Sequence, residues 1–266
     1  MSADRRSPVE RLVELCGLDV SGPSTAPPFF IVGAARSGTT LLRVLLDSHP
    51  RISVGPETNV LHHWIQAVVD AKTLHSYPYH DDELLAYPAA ALELLHRRYM
   101  AERGKVRWGE KTPNYTVVID EIMRVWPDAL FIHCIRDGRD VVCSMVDRWG
   151  WRAAPAARQW RQRVEATLVQ VDKLPPSRHL EVRYEDLVMA TEPVVRRVLD
   201  FLGEPWDPAV LEQASADHHG VVDDVPEALD LVSAASVDRW RTELGPLDRF
   251  VVNRVAGPTL RRLGYR

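Results

Sequence analysis

The chain has 266 residues, of which 45% are hydrophobic and 26% are charged, as is typical of a globular protein with one sizeable core. Its formal net charge of −4 argues against a broad nucleic-acid-binding surface. No run reaches the roughly 18 apolar residues that a membrane-spanning helix needs. We therefore expect one domain over residues 1–266, with neither nucleic acid nor a membrane as partner.

The cysteines indicate a reducing compartment. Cys16, Cys134 and Cys143 are odd in number and contain no Cys-x-x-Cys pair, and the last two lie among apolar residues. The N-terminus has no apolar run of signal-peptide length. These features predict three reduced thiols and a cytosolic setting.

The first part of the chain predicts a strand, a glycine-rich turn and a helix. Residues 9–18 suit a short amphipathic helix, and the Pro-rich stretch 21–28 suits a connector. The apolar run "FFIVGA", 29–34, predicts a buried strand of a parallel sheet. A helix should follow over about 38–47, stopped before Pro50, and "ISV", 52–54, is a candidate second strand.

The middle of the chain continues the alternation. Residues 60–103 look mostly helical, with an interruption at "HSYPYHDD". "KVRWGEKTPN", 105–114, predicts a strand that runs into a loop, and "TVVIDEIMRVW", 116–126, predicts a helix. "ALFIHCIRD", 129–137, is the second clear buried strand, with a helix starting near Asp140.

The last elements complete the pattern. Helical spacing relates Trp160, Val164, Leu168 and Val171, and residues 179–184 form another candidate strand. A further helix should begin near Thr191 as its N-cap, with Pro193 in its first turn and Gly203 just past its end. Strands that alternate with helices predict an α/β fold, a P-loop-type parallel sheet flanked by helices on both faces. Ligands of such folds bind beyond the carboxyl ends of the strands.

"GAARSGTTLL", 33–42, is the first of three stretches suited to phosphate. A strand-to-helix turn aims backbone N–H groups at one spot, and Arg36 adds a charge that suits anionic oxygens. The other candidate contacts are Ser37, Gly38, Thr39 and Thr40. In an ATPase loop a lysine would stand where Thr39 stands here. The alternative is an ordinary strand–turn–helix without a ligand.

"CIRDGRDVVCSMVDRWG" is the second stretch and also follows a buried strand. Arg136 stands at the strand end, Ser144 lies about two turns into the next helix, and Arg148 follows on the same helical face. These groups suit a dianionic phosphate. The alternative is a surface salt-bridge cluster with the neighbouring aspartates, which fits Arg139 better than Arg136.

"EVRYEDLV", 181–188, is the third stretch, at the end of another strand. Tyr184 could stack on or bond to a base or a ribose. A half-buried core aromatic is the alternative interpretation of this side chain.

Together these stretches resemble the sulfotransferases that use 3′-phosphoadenosine 5′-phosphosulfate, and most closely their protein-tyrosine sulfotransferase-like branch. "RSGTTLLRVLLDSHP", "PETN", "EKTPN" and "RDGR" match elements of that branch in order and spacing. "SVDRW" followed by "LRRLGY" is similar to its last cofactor element and adds Arg239. The resemblance implies that the first stretch binds the 5′-phosphosulfate and that Arg136 and Ser144 bind the 3′-phosphate, in two separated pockets. It implies no metal.

The same resemblance implies roles in catalysis. Glu57 corresponds to the general base, Lys111 to the cation that stabilises the leaving phosphate and sulfuryl oxygens, and Arg36 helps to neutralise the phosphosulfate. Without the resemblance, Glu57 would suit an N-capping or surface carboxylate, and Lys111 a surface lysine. His62–His63 and His218–His219 are adjacent pairs, unlike zinc ligands.

The acceptor is less well specified by the sequence. Segment 60–105 is the expected helical acceptor-side wall, and the candidate substrate contacts are Asn59, His63, Trp64 and Trp149. Asn59 and His63 stand where relatives that read acidic peptides carry arginines, so an acidic peptide is not expected. Those relatives are Golgi membrane proteins, whereas no anchor is expected in this chain. We therefore expect a cytoplasmic enzyme with a small-molecule or peptide acceptor, and a homodimer is left open.

Two other functions compete with a sulfotransferase. A P-loop kinase or NTPase predicts a lysine at position 39 and a carboxylate that holds Mg²⁺ after a strand. A non-catalytic nucleotide-binding regulator would not need Glu57 and Lys111.

Overall fold

The computed structural model describes residues 26–70, 81–212 and 233–266. The predicted helix 9–18, most of connector 21–28, Cys16 and the His218–His219 pair lie outside these ranges. The strands are β1 Phe29–Gly33, β2 Ile52–Val54, β3 Arg107–Lys111, β4 Leu130–Ile135 and β5 His179–Arg183. The first helices are α1 Thr39–Asp47, α2 Val60–Asp70, α3 Asp81–Glu102, α4 Ile119–Val125 and α5 Gly138–Trp149. The remaining ones are α6 Ala153–Val171, α7 Tyr184–Met189, α8 Thr191–Leu202, α9 Trp240–Glu243 and α10 Pro246–Arg262.

The five strands form one parallel sheet in the order β2-β3-β1-β4-β5. β1 is central and pairs with β3 on one side and with β4 on the other. Because β1 and β4 are covered on both faces, every residue of these strands is buried. The α/β fold predicted from the apolar runs is confirmed.

Alternating side chains of β1 divide the core between the two faces of the sheet. Phe29 and Ile31 pack with α1, β2 and α8 on one face. Phe30 and Val32 pack on the other face with α2, α3, Trp108 and the helix before β4. A third cluster joins α5 and α6 to α9 and α10. Burying one such side chain stabilises the fold by about 1.5–3 kcal/mol, so the strand ends stand on a rigid base.

Two predicted helix starts differ in detail. The helix predicted over 116–126 is a 3₁₀ turn, Pro113–Val117, followed by α4, because Val118 leaves the helical conformation between them, with φ −129° and ψ 23°. Thr191 is the first residue of α8 and not its N-cap, which is Ala190. Its hydroxyl donates backwards to the Leu187 carbonyl at 2.8 Å. Gly203 does end α8 in the left-handed conformation, as predicted.

The carboxyl ends of all five strands meet at one edge of the sheet. The loop after β1 leads into α1, residues 55–59 follow β2, and Lys111 is the last residue of β3. Arg136 follows β4 directly, and Tyr184 follows β5. This edge therefore gathers the candidate residues that directly follow the strands.

Candidate active site

The loop after β1 is built to approach an anion closely. Gly38 takes the left-handed conformation, φ 86°, immediately before α1, and Arg36 takes it at φ 68°. No side chain caps the N-terminus of α1. The Ser37 hydroxyl is buried and has no hydrogen-bond partner among the described residues. A helix N-terminus with backbone N–H groups and a buried hydroxyl directed at one spot is a ready anion site.

Arg36 and Arg136 belong to one cluster. The Arg36 Nε donates to the Ser144 hydroxyl at 2.8 Å, and the Arg36 carbonyl accepts from Arg136 Nη1 at 3.1 Å. The other Nη group of Arg136 donates to the Ser236 carbonyl at 2.6 Å, while its buried Nε has no partner in the described ranges. Sequence analysis placed Arg36 and Ser144 in separate pockets. Here one hydrogen bond joins them, so these two predicted ligand contacts are adjacent.

Tyr184 connects the ends of β1, β4 and β5. The Arg136 guanidinium lies over its ring, 4.2 Å from the centroid. The ring also rests on Gly38, where an added Cβ would come within 2.5 Å of Tyr184 Cδ2. Tyr184 therefore packs against the loop and against Arg136, and its contact with a base or a ribose stays a prediction.

Lys111 and Glu57 form the second centre of the site. The ammonium of Lys111 contacts the Glu57 carboxylate and lies 3.3 Å from the Thr40 hydroxyl in the first turn of α1. The lysine side chain is buried, whereas that of Glu57 is 37% exposed. A surface lysine is therefore excluded. The Lys111 ammonium thus links the carboxylate that follows β2 to the first turn of α1.

Other residues of the RDGRD stretch are structural. Arg139 is buried, forms an ion pair with Asp137 at 2.6 Å, and stacks 4.0 Å from the Trp240 ring centroid. Asp140 accepts from the backbone N–H groups of Asp238 and Trp240, both at 2.9 Å. The salt-bridge interpretation is thus right for Arg139. Burial raises the pKa of Asp140, and these two N–H groups oppose that rise.

The more distant cofactor candidates lie at the rim. Arg148 is exposed, one turn beyond Ser144 on α5. Arg239 precedes α9 and pairs with Glu243 at 2.7 Å and with Asp147 at 3.5 Å. The contacts predicted for Arg148 and Arg239 with the cofactor stay predictions.

The acceptor-side candidates lie just before α2, within α2 and at the end of α5. Asn59 adopts φ 54° and accepts from Asn114 at 3.1 Å, close to Glu57 in the chain. Trp64 donates to the Leu84 carbonyl at 3.1 Å, which ties α2 to α3, and His63 is exposed. Trp149 is exposed at the end of α5, where its ring packs against Trp151.

The sequence analysis missed a buried carboxylate under this site. Glu110 is fully buried and accepts from Thr58 at 2.5 Å and from Thr112 at 2.9 Å, with His96 Nε2 at 3.4 Å. Burial raises the pKa of Glu110, but the hydrogen bonds outweigh it and the pKa is lowered. The only sequence feature that could have revealed it is an acid directly before Lys111 inside a buried strand.

The described residues contain neither a cluster of metal ligands nor a membrane-spanning helix. Within them, no three His, Cys, Asp or Glu side chains come together as a metal site. The helices of those ranges include none that is long and apolar enough to cross a bilayer.

Cys134 and Cys143 are free and buried, and burial raises the pKa of each thiol to about 12.

A family model described as "Sulfotransferase family" matches residues 27–208. The chain belongs to the sulfotransferase family. It is 28% identical over 271 residues to the "Protein-tyrosine sulfotransferase" of Drosophila melanogaster, in an alignment covering 90% of this chain and 52% of that protein. It is 30% identical over 268 residues to the "Protein-tyrosine sulfotransferase 1" of Danio rerio, covering 90% of this chain and 72% of that one. The chain thus spans about half of the fly relative.

Solved structures share the fold. The sulfotransferase domain of the Synechococcus olefin synthase aligns with a TM-score of 0.65 at 24% identity, covering 91% of this chain and 98% of that one. A mouse sulfotransferase complexed with PAP aligns with a TM-score of 0.54 at 13% identity, covering 98% and 91%. The fold and the family together make this chain a sulfotransferase enzyme and imply a cofactor of the phosphoadenosine phosphosulfate type.

Proposed function

We propose that this sulfotransferase moves a sulfuryl group from 3′-phosphoadenosine 5′-phosphosulfate to a hydroxyl acceptor, with Glu57 as general base and Lys111 as the cation for the leaving phosphate. One observation carries the proposal. A single buried ammonium contacts both the Glu57 carboxylate and the hydroxyl of the phosphate-loop helix. Base, cation and anion pocket are therefore adjacent, as an in-line transfer requires.

The residues present fit an adenosine nucleotide with two anionic ends. The Ser37 hydroxyl and the Arg136 Nε are buried without a partner among the described residues, and such groups cost free energy unless something bonds to them. The 5′-phosphosulfate would be held by the loop after β1 and the start of α1, which comprise Arg36, Ser37, Gly38, Thr39 and Thr40. The 3′-phosphate and nucleoside group would consist of Arg136, Ser144, Arg148, Tyr184 and Arg239. When bound, the donor supplies a sulfuryl group attached to a good phosphate leaving group.

Each side chain of the centre has a separate task. Glu57 is the more exposed partner of the ion pair, so it faces the side from which an acceptor arrives and can accept the hydroxyl proton. Lys111, held between Glu57 and Thr40, places positive charge where the bridging oxygen becomes a phosphate oxygen. Arg36 would add a second positive charge that helps to neutralise the phosphosulfate.

We favour a phenolic acceptor. The named relatives are protein-tyrosine sulfotransferases, and a tyrosine side chain and a small phenol share this chemistry. The acceptor contacts stay those expected from the sequence: Asn59, His63, Trp64 and Trp149. The cytoplasmic location also stays a prediction, which cell fractionation would check.

Mass spectrometry tests the reaction directly. Incubation with the sulfate donor and either p-nitrophenol or a tyrosine peptide should add one SO₃ to the acceptor. Wild-type protein should do this without Mg²⁺, and Glu57→Ala and Lys111→Ala should not.

A binding experiment separates the competing functions. Adenosine 3′,5′-bisphosphate should bind tightly without Mg²⁺, while ATP should bind weakly. Tight Mg²⁺-dependent ATP binding would favour a kinase or NTPase. Bisphosphate binding together with cellular activity that survives both alanine substitutions would favour a regulator.

A further inference from the structure

Glu57 stands in a short segment that has no regular structure of its own. Residues 55–59 lie between β2 and α2, outside any helix or strand. Asn59 ends the segment in the left-handed conformation. Side-chain contacts must therefore decide where the Glu57 carboxylate lies.

Those contacts come from the end of β3, where two consecutive residues each contact one residue of the segment. Lys111 and Glu110 are consecutive, so their side chains leave the strand on opposite faces. Lys111 contacts Glu57, and Glu110 accepts from the hydroxyl of Thr58, the next residue. The segment thus straddles the strand end with one residue on each face.

Glu110 is itself fixed on every side. Its first oxygen accepts from Thr58 and Thr112, and its second lies 3.4 Å from His96 of α3. The His96 ring stacks on Trp108, with planes 3° apart and centroids at 5.0 Å. A carboxylate in the dry interior with three polar partners is a rigid anchor, and losing any partner is costly.

The anchor also orders the start of α2. Thr58 accepts from the Val60 N–H at 3.3 Å, and the Tyr115 hydroxyl, 3.3 Å from Thr58, accepts from the Leu61 N–H at 3.2 Å. The first N–H groups of a helix have no partner within the helix. Here the network that holds Thr58 supplies those partners.

We propose that Glu110 is a positioning residue, which fixes Thr58 against the end of β3 and thereby holds Glu57 opposite Lys111. The inference rests on the proposed roles of Glu57 and Lys111 in sulfuryl transfer. The hydrogen-bond partners of the Glu110 carboxylate among the described residues are Thr58, Thr112 and His96, and none of these is a predicted donor contact. Glu110 should therefore act on the rate of transfer and not on donor affinity.

Four variants test this role. Glu110→Gln weakens the contact by replacing the charged acceptor with a neutral amide, and Thr58→Val removes the hydroxyl that donates to it. Thr58→Ser keeps the contact, and the double variant Thr58→Val/Glu110→Gln closes a cycle. Glu93→Gln is the matched control. Glu93 is equally buried and accepts from Trp126 at 2.9 Å and from Arg97 at 2.6 Å, away from residues 55–59.

Hydrogen exchange of residues 57–61 is the first readout, because it needs no acceptor. Glu110→Gln and Thr58→Val should speed exchange of the Val60 and Leu61 amides about 10–100-fold, the range for a lost hydrogen bond to a charged group. Thr58→Ser and Glu93→Gln should leave these amides near wild type. The affinity for adenosine 3′,5′-bisphosphate should change by no more than about twofold in any variant.

Transfer to p-nitrophenol is the second readout. Glu110→Gln and Thr58→Val should lower kcat about 10–100-fold at unchanged donor KM, and the double variant should lose little more than either single one. Unchanged exchange in both variants, or an equal effect of Glu93→Gln, would overturn the positioning role. If wild type transferred nothing to any phenol, the proposed function would fail, while the exchange result would still decide what Glu110 does.

Discussion

Replacing Arg136 with alanine is expected to weaken binding of the bisphosphate product far more than replacing Glu57 does. Arg136 is buried, its Nη groups donate to two backbone carbonyls, and its Nε has no partner among the described residues. Glu57 is more exposed and contacts Lys111, on the opposite side of the phosphate loop from Arg136 in the sheet order. The two side chains therefore report on ground-state binding and on the transfer step separately.

The size of the effect follows from these contacts. A hydrogen bond to a charged group contributes about 1.5–3 kcal/mol, and each 1.4 kcal/mol changes affinity about tenfold. Arg136→Ala removes such a bond, and it also leaves the carbonyls of Arg36 and Ser236 without their donor. We expect the Kd to rise about 30–300-fold. Glu57→Ala removes no phosphate contact and should change the Kd less than about threefold.

Titration calorimetry with adenosine 3′,5′-bisphosphate in metal-free buffer measures both values. Arg139→Ala is the matched control, since Arg139 is buried in the same stretch but pairs with Asp137 and stacks on Trp240. It should lower the melting temperature and affect the Kd less than Arg136→Ala does. Equal losses for Arg136→Ala and Glu57→Ala, or for the two arginine variants, would refute the assignment.

Three further substitutions probe the frame of the site. Gly38→Ala should impair folding and bisphosphate binding, because the new methyl group meets the Tyr184 ring at 2.5 Å and φ is 86°. Tyr265→Phe should cost about 1 kcal/mol of stability and weaken bisphosphate binding slightly, since Tyr265 holds Glu185 at 3.0 Å and Glu185 accepts from the N–H that follows Arg136 at 2.8 Å. His133→Leu should raise stability by about 1–3 kcal/mol, because both ring nitrogens are buried without a partner among the described residues. Burial lowers the pKa of His133 to about 3, so wild-type stability should fall as the pH drops from 6.5 towards 3, by up to about 1.4 kcal/mol per pH unit.

Chemical denaturation and calorimetry check these outcomes. Gly38→Ala with normal binding would contradict the close approach of Tyr184 to the loop. Tyr265→Phe with unchanged stability would show that the hydroxyl does not support Glu185. The folded state binds fewer protons than the unfolded state between pH 3 and 6.5, so His133→Leu should flatten the acid limb of the stability curve. An unchanged limb would assign acid sensitivity to other groups.

Much of the site was readable from short stretches of sequence. The run 29–34 and the glycines after it predict a strand and an anion loop, since both depend on neighbours in the chain. Arg136 was placed correctly because it directly follows a buried run. The N-cap of α8 was predicted at Thr191, one position too late. The Thr191 hydroxyl donates to the Leu187 carbonyl in the preceding turn, and Ala190 is the N-cap.

The sequence by itself determined the strands β1 and β4 and the polar groups at their ends, because a strand covered on both faces shows as a run of apolar residues and a tight turn needs glycine. Only the tertiary structure decided that Arg36 reaches Ser144, 108 positions away, and that Glu110 holds Thr58. Strand order creates those neighbours, and strand order depends on packing across the whole sheet. No local pattern encodes it.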